Sequence, residues 1–394
     1  MRRWGPELLA ALLLLHSAVA VAAGIPDDKI TIGIMNTGAG PVLLRTAHGL
    51  VTAAQMAAED FDAGAAKLDT EIEEFDSGNT RDAAGTVRDW LDRDHLAAVI
   101  DVAGGSAATE IASLLRARNR TYLVIDKGEP GLAAAVAGPT TVLWGADPAA
   151  LARSLVHVLV GQRLRAWYIV AGAGPLSQAV ADDAGRFLLA AGGSIAGRAD
   201  QAAAAPDFRA ELRQADAAAA QVIALAATGP EFDAAASESA WLGLAARHRM
   251  AALFAPLDRI DRIGLQAGQG MLVAAPFYWN RDAASRAFTD RFRNAERQRM
   301  PTGTEAEIYA AATALLDAAA AAHSIAADKV IAALRRGPIS DRLLGTVTVR
   351  PDGVAMHDIS VYRVKRPDES EQRWDDLAPV ATVPAAVAFP PTTP

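Results

Sequence analysis

The sequence predicts an α/β protein built from two lobes, each a parallel sheet covered by helices. Short apolar runs alternate with Ala-rich stretches of helical spacing, an order typical of parallel sheets. The alternation starts a second time after Trp144, which indicates two units of similar size. At 394 residues the chain also exceeds what one hydrophobic core usually supports.

The first residues have the layout of a cleaved signal peptide. Arg2 and Arg3 precede an apolar run from Leu8 to Leu15, and small residues follow up to Ala23. The run is shorter than the roughly 20 residues that span a membrane. We therefore expect residues 1–23 to be removed and the exported chain to begin near Gly24. The paired arginines also suggest twin-arginine export, although their flanking residues match that signal poorly.

Composition excludes several classes of site. The chain has no cysteine, so disulfides, thiolate metal sites and a lipid-modified N-terminal cysteine are excluded. The net charge of −8 is spread without basic runs, which argues against nucleic acid as a partner. The histidines are isolated, and the sequence contains no nucleophile elbow, zinc-protease motif or phosphate-binding loop. We expect neither enzymatic activity nor a cofactor.

Apolar runs mark the strands of both lobes. In the first lobe we predict strands at Ile30 to Met35, Glu71 to Asp76, Ala97 to Val102 and Tyr122 to Asp126. In the second lobe we predict strands at Ala166 to Ala171, Ser194 to Arg198, Val222 to Ala227, Ala252 to Ala255 and within Met271 to Trp279.

Local signals mark helix starts and one turn. Asp147 before Pro148 predicts an N-cap, and Thr304 with Glu307 has capping-box spacing. Pro351, Asp352 and Gly353 separate two alternating runs, Thr346 to Val349 and Ile359 to Val364, which predicts an antiparallel hairpin near the C-terminus.

Three motifs follow one another at the start of the first lobe, Ile30 to Met35, Gly38 to Pro41 and Ala54 to Phe61. Their order resembles the opening of type I periplasmic binding proteins, most closely the branched-chain amino acid (Leu/Ile/Val-binding-like) group of ABC transporters. The resemblance continues through Ala97 to Val102, Trp167 to Val170, Gln221 to Ala226, Phe277 to Trp279 and Arg350 to Gly353, and so spans nearly the whole exported chain.

The resemblance implies two doubly wound, Rossmann-like lobes joined by three crossovers, which close on a ligand like a hinged clamp. The crossovers would fall near Trp144 to Asp147, Ala275 to Trp279 and Gly337 to Leu344. The first lobe would comprise residues 24–144 and 279–338, and the second 145–278 and 339–394. Tyr278 and Trp279 would pack at the hinge. The implied protein is a periplasmic monomer that delivers a small organic molecule, of the amino acid, amide or aromatic acid class, to an ABC permease and ATPase.

Loops at the carboxyl ends of strands are the expected ligand site, since helix N-termini there favour anionic groups. In the first lobe the predicted site residues are Asn36, Gly105, Ser106, Ala107, Lys127, Gly128 and Glu129. Ser106 would cap the next helix and donate to a ligand carboxylate, although relatives carry this serine where the present chain has Gly105. Lys127 and Glu129 are equally typical of a solvated pair on the rim.

The second lobe departs further from the family. The predicted site residues are Gly174, Thr228, Glu231 and Asp258. Relatives commonly carry an Asp-Tyr pair where this chain has Ala173 and Gly174, so we expect a reshaped site that is poorly suited to an ordinary branched-chain amino acid. Glu231 and Asp258 are acidic candidates for a cationic group, and equally typical of exposed loops. A sensory binding protein or a ligand scavenger, signalling to a membrane sensor, is the alternative function.

Overall fold

Strands buried on both faces build the two lobes. The computed structural model describes residues 25, 28–36, 41–62, 68–75, 82–93, 95–102, 105–125, 130–145, 147–202 and 207–389. The predicted signal peptide and the site residues Lys127, Gly128 and Glu129 lie outside these residues.

The strands and helices alternate as the sequence predicts. The strands are β1 Lys29–Met35, β2 Asp69–Phe75, β3 Leu96–Asp101, β4 Thr121–Val124, β5 Thr141–Leu143, β6 Ala166–Ala171, β7 Ser194–Asp200, β8 Val222–Ala226, β9 Arg249–Ala252, β10 Leu272–Ala275, β11 Ile339–Asp341, β12 Gly345–Val349, β13 Ala355–Met356, β14 Ile359–Val364 and β15 Leu377–Val383. The helices are α1 Pro41–Asp62, α2 Ala83–Leu91, α3 Ala108–Ala117, α4 Leu132–Val136, α5 Pro148–Gly161, α6 Pro175–Ala190, α7 Arg209–Ala217, α8 Gly229–Trp241, α9 Leu257–Gly268, α10 Ala283–Ala295, α11 Gly303–Ala322, α12 Ala327–Leu334 and α13 Ala385–Ala388.

Both lobes contain a parallel sheet of the same topology. The first sheet has the order β2-β1-β3-β4-β5, and the parallel part of the second has the equivalent order β7-β6-β8-β9-β10. The prediction of two doubly wound lobes is therefore confirmed. The second sheet is extended by β14, which is antiparallel to β10, and by β15, which is antiparallel to β14.

Helices cover both faces of each sheet, so each lobe has two apolar layers. In the first lobe, Ile32 and Val142 pack with α1 and α11 on one face, whereas Val99 packs with α2 and α3 on the other. The second lobe repeats this arrangement around β6 and β8. Burial on both faces explains why these strands read as continuous apolar runs.

The predicted C-terminal hairpin is wrong in one respect, because the strand that pairs with β12 is not β14. The Pro351 to Gly353 turn is present, but it joins β12 to β13, while β14 pairs with β10 and β15. Gly353 has a φ of 91°, and a Cβ there would overlap the Thr141 carbonyl oxygen. Because β13 has only two residues, its pairing leaves no alternating pattern in the sequence.

The small sheet β11-β12-β13 belongs with the first lobe. Leu343, Val347 and Ala355 lie in the first-lobe core, whereas Ile359 lies in the second-lobe core. The chain therefore returns to the second lobe between β13 and β14, later than the predicted crossover near Gly337 to Leu344. The chain also passes between the two cores after β5 and after β10.

Two further local predictions are corrected. The capping box of α11 is Thr302 with Glu305 rather than Thr304 with Glu307, and Glu305 accepts from the Thr302 amide at 2.7 Å. Both pairs have the same spacing, so spacing alone could not distinguish them. The predicted strand Ala252 to Ala255 is the end of β9 and the loop that follows it. Asp147 caps α5 as predicted, accepting from the Ala149 amide at 2.8 Å.

Among the described residues no single helix is long and apolar enough to cross a membrane. The bent pair α11 and α12, which meet at 109°, satisfies the length and composition criteria only when taken together.

Candidate ligand site at the facing sheet edges

The candidate site is formed by the carboxyl edges of the two parallel sheets. The chain leaves the first lobe after β5 and leaves the second lobe after β10, in both cases at a carboxyl end. Ligands of open α/β sheets bind beyond this edge. The described site residues of both lobes follow strands at these edges, and their role in ligand binding stays a prediction.

The first lobe contributes a short segment between β3 and α3. Ser106 is exposed, whereas Gly105 and Ala107 are partly buried. The expectation that Ser106 caps α3 is wrong, because Ala107 is the N-cap residue and no side chain caps this helix. Asn36, which directly follows β1, is 5% exposed. Asn36 therefore lies beneath the surface of this edge of the sheet.

A buried hydrogen bond below this segment was not predicted from the sequence. Asp101, at the end of β3, is fully buried and accepts from the Tyr122 hydroxyl of β4 at 2.5 Å. Burial, and then the Asp101 charge, raises the pKa of Tyr122 well above its usual range. The pair ties the carboxyl end of β3 to the beginning of β4. An acidic residue ending an otherwise apolar strand is the only sequence signal for it.

In the second lobe the Glu231 carboxylate accepts hydrogen bonds from the loop after β6 and from the start of α6. Its Oε1 accepts from the Ala173 amide at 3.1 Å, and its Oε2 accepts from the Ser177 hydroxyl at 3.4 Å. The Ser177 hydroxyl also lies 3.3 Å from the Thr228 hydroxyl, so the starts of α6 and α8 are joined. The role predicted for Glu231 as a ligand for a cationic group stays a prediction, but the carboxylate already has partners.

Asp258 and Gly174 also lie at this edge. Gly174 is the N-cap residue of α6, and Asp258 is exposed in the first turn of α9. The adjacent Arg259 donates to Asp233 of α8 at 2.8 Å, which ties the loops after β8 and β9 to each other. Asp258 therefore carries its charge next to an ion pair, Arg259 with Asp233, that links α9 to α8.

Several helix N-termini at the two edges lack a side-chain cap. They are those of α3 in the first lobe and of α6 and α8 in the second. The helices α2, α5 and α10 also follow the carboxyl ends of strands, and they are capped by Asp82, Asp147 and Asp282. In α9 the Asp258 carboxylate accepts from the amides of Asp258 and Arg259. The first amides of a helix need partners from side chains, water or ligand, and together they favour an anion. The edges thus present several amide groups suited to an anionic ligand.

A groove on the second lobe lies away from the candidate site. It has a volume of about 1010 Å³ and is lined by residues of α8, α9 and the β14–β15 connection. Met250 and Met271 place it at the amino ends of β9 and β10, opposite the carboxyl edge, so we assign it no part in this site. Within the described ranges, no group of three or more His, Asp or Glu side chains is placed to hold a metal ion.

The chain is similar to several solved structures of binding proteins. A periplasmic binding protein from Burkholderia mallei is 29% identical, with a TM-score of 0.76 over 93% of this chain and 97% of that one. A branched chain amino acid ABC transporter periplasmic ligand-binding protein from Burkholderia xenovorans is 26% identical, with a TM-score of 0.85 over 92% and 97%.

A more distant neighbour shares the fold. It is an ABC transporter solute binding protein from Rhodopseudomonas palustris in complex with 3,4-dihydroxybenzoic acid, 15% identical with a TM-score of 0.72 over 91% of this chain and 98% of that one. No curated protein sequence matches the chain. The family model described as "Periplasmic binding protein" matches residues 29–371. Matched over most of its length, and with two lobes of the same topology, the chain belongs to the periplasmic binding protein family.

Proposed function

We propose that this protein is the substrate-binding component of an ABC importer and that its ligand is a small organic carboxylate held between the lobes. The observation that carries the ligand class is the presence of uncapped helix N-termini at both sheet edges, on α3 in the first lobe and on α6 and α8 in the second. Because both lobes supply such amides, one carboxylate that touches both would favour the closed arrangement.

The second lobe favours an acid without an α-amino group. The loop after β6 offers Ala173 and Gly174, which carry no polar side chain. The nearest carboxylate, Glu231, accepts from the Ala173 amide and the Ser177 hydroxyl. A ligand ammonium group would have to compete with these donors. The aromatic acid bound by the Rhodopseudomonas palustris protein is a carboxylate of the kind we propose.

The proposed role sets the location and partners. Removal of residues 1–23 on export would release the protein into the periplasm. Hinge closure around the ligand would then present both lobes to a permease, which works with an ATPase. Mass spectrometry of protein from the periplasmic fraction tests the first step, and the expected N-terminal residue is Gly24. An intact N-terminus in that fraction would contradict it.

Matched ligand pairs test the carboxylate. The protein lacking residues 1–23 is unfolded and refolded to remove carried-over ligand, then screened by thermal shift with benzoate against benzamide, and with 4-methylpentanoate against leucine. A ligand at a hundredfold excess over its Kd stabilises the folded state by about 2.7 kcal/mol. We expect shifts with the acids and none with benzamide. A response to benzamide alone, or to leucine but not to 4-methylpentanoate, would contradict the proposed ligand class.

A further inference from the structure

The second crossover contacts the cores of both lobes through three consecutive aromatic residues. Phe277 is buried in the first-lobe core, where its ring lies 5.8 Å from that of Phe288 in an edge-on contact. Tyr278 is buried in the second-lobe core, and Trp279 packs against both cores. The backbone direction at this point is therefore coupled to the orientation of the two lobes.

One backbone carbonyl, that of Trp374, holds two of these aromatics. Trp374 lies in the connection between β14 and β15, which belongs to the second lobe. Its oxygen accepts from Trp279 Nε1 at 2.7 Å and from the Tyr278 hydroxyl at 3.1 Å. Trp374 has a φ of 65°, a conformation that is uncommon for a residue with a large side chain and persists where surrounding contacts determine it.

The next residue anchors this connection to the second lobe. Asp375 is 4% exposed and accepts from Lys365 Nζ at 2.6 Å and from the Glu371 amide at 3.1 Å. It also accepts from the side chain of Asn280, which directly follows the three aromatics. The carbonyl of Trp374 is thus presented to the crossover from a fixed position.

The ring of Trp374 reaches the first lobe. Two guanidinium groups contact it, that of Arg373 at 4.3 Å and that of Arg293 at 5.6 Å from the ring centroid. Arg293 belongs to α10, a first-lobe helix, so this cation–π contact bridges the two lobes. A single residue therefore touches the crossover through its carbonyl and the opposite lobe through its ring.

The other side of the crossover is fastened as well. Arg281 donates to the Leu343 carbonyl at 2.6 Å and to the Pro276 carbonyl at 3.3 Å. Leu343 lies just before β12, in the segment that leads to the third crossover. The second crossover is therefore hydrogen-bonded to the Trp374 carbonyl on one side and to the Leu343 carbonyl, next to the small first-lobe sheet, on the other.

We infer that Trp374 is a positioning residue for the hinge, which sets the distribution of lobe orientations, and through it ligand affinity, without touching the ligand. The affinity part rests on the proposed function, because apparent affinity scales with the population of the state that can bind. Trp374 acts through Trp279 and Arg293. Loss of either contact frees the crossover to sample other orientations.

The test measures lobe orientation in the ligand-free protein. The chain has no cysteine, so Ala134→Cys in α4 and Ala190→Cys in α6, both at exposed positions, allow one spin label on each lobe. Pulsed electron resonance then gives the distribution of distances between the labels. We expect Trp374→Leu, Arg293→Met and Trp279→Phe each to broaden or shift this distribution by more than replicate preparations differ.

Matched controls separate this role from general damage. Trp241→Leu removes a tryptophan that is 72% exposed in α8, and Arg336→Met removes an exposed first-lobe arginine; neither should alter the distribution. If Trp374→Leu does not fold, Arg293→Met and Trp279→Phe still decide the matter. Distributions that coincide with the parent's in both variants overturn the inference. Since no ligand is added, failure of the proposed function leaves this result unchanged.

Discussion

The Glu231 carboxylate accepts a hydrogen bond from the Ala173 amide at 3.1 Å and so fixes the loop that follows β6. The same carboxylate fills the space above Gly172, where an added Cβ would overlap Oε2. The missing side chain at 172 and the glutamate at 231 therefore form a pair. An acidic group is still present at this edge of the sheet, but it is directed at the protein's own backbone.

This pairing predicts strong coupling between the two positions. Gly172→Ala should destabilise by about 1–3 kcal/mol through overlap, and Glu231→Ala by about 1–3 kcal/mol because the Ala173 amide loses its partner. The double variant should cost clearly less than the two added, because removing the carboxylate makes room for the methyl group. Denaturant unfolding measures all three variants. Gly161→Ala, at the end of α5 with open space around the added methyl, is the control and should not destabilise. Strict additivity would contradict the pairing.

The sequence did not predict the contacts between residues that lie far apart in the chain. Strands such as β3 and β8 were predicted because both of their faces are buried and their residues, apart from Asp101 at the end of β3, are apolar. Glu231 and its partner Ala173 are 58 residues apart, and only the sheet order brings them together. Likewise, Trp374 lies in a polar segment, and nothing in its neighbours points to Trp279. Local patterns therefore predict the fold and the edge of the site, but not the contacts that shape it.

Ser106 gives the most direct test of the first-lobe half of the site. Its hydroxyl is exposed and caps no helix, so Ser106→Ala should change the unfolding free energy by less than about 0.5 kcal/mol. If it donates to the ligand carboxylate, affinity for the best acid of the screen should fall about 2- to 12-fold. Isothermal titration measures this. Ser113→Ala, in the helix α3 that follows Ser106, should leave affinity unchanged. An equal loss in both variants would contradict the role of Ser106.

Asp258 distinguishes acids from amino acids. Asp258→Asn removes a charge from the first turn of α9, where partial burial raises the pKa of the carboxyl group, so the change should not lower the stability of the folded protein at pH 7. The same change removes a like charge near an anionic ligand, and binding of an acid without an amino group should tighten. Titrations with 4-methylpentanoate measure the effect, with exposed Asp290→Asn as a control for net charge. Weaker binding of the acid would show that Asp258 assists the ligand instead.

Asp376 should make stability depend on pH. Burial, and then the charges of Asp261 and Asp375, raises the pKa of Asp376 from 3.8 to about 6, although Lys365 opposes this. Between roughly pH 4 and 6 the folded state therefore binds more protons at this residue than the unfolded state, so its contribution to stability falls as pH rises through that window. Asp376→Asn removes this loss, and its advantage over the parent should grow from near zero at about pH 3 to about 3 kcal/mol above pH 7. Asp261→Asn should give a smaller gain of the same sign, because it removes one of the charges that raise the pKa of Asp376.

Urea unfolding across this pH range measures the difference in stability between the variants. Titrations that are common to all variants cancel in this difference. Parallel stability curves for the parent and Asp376→Asn would mean that the carboxylate is solvated in the folded protein.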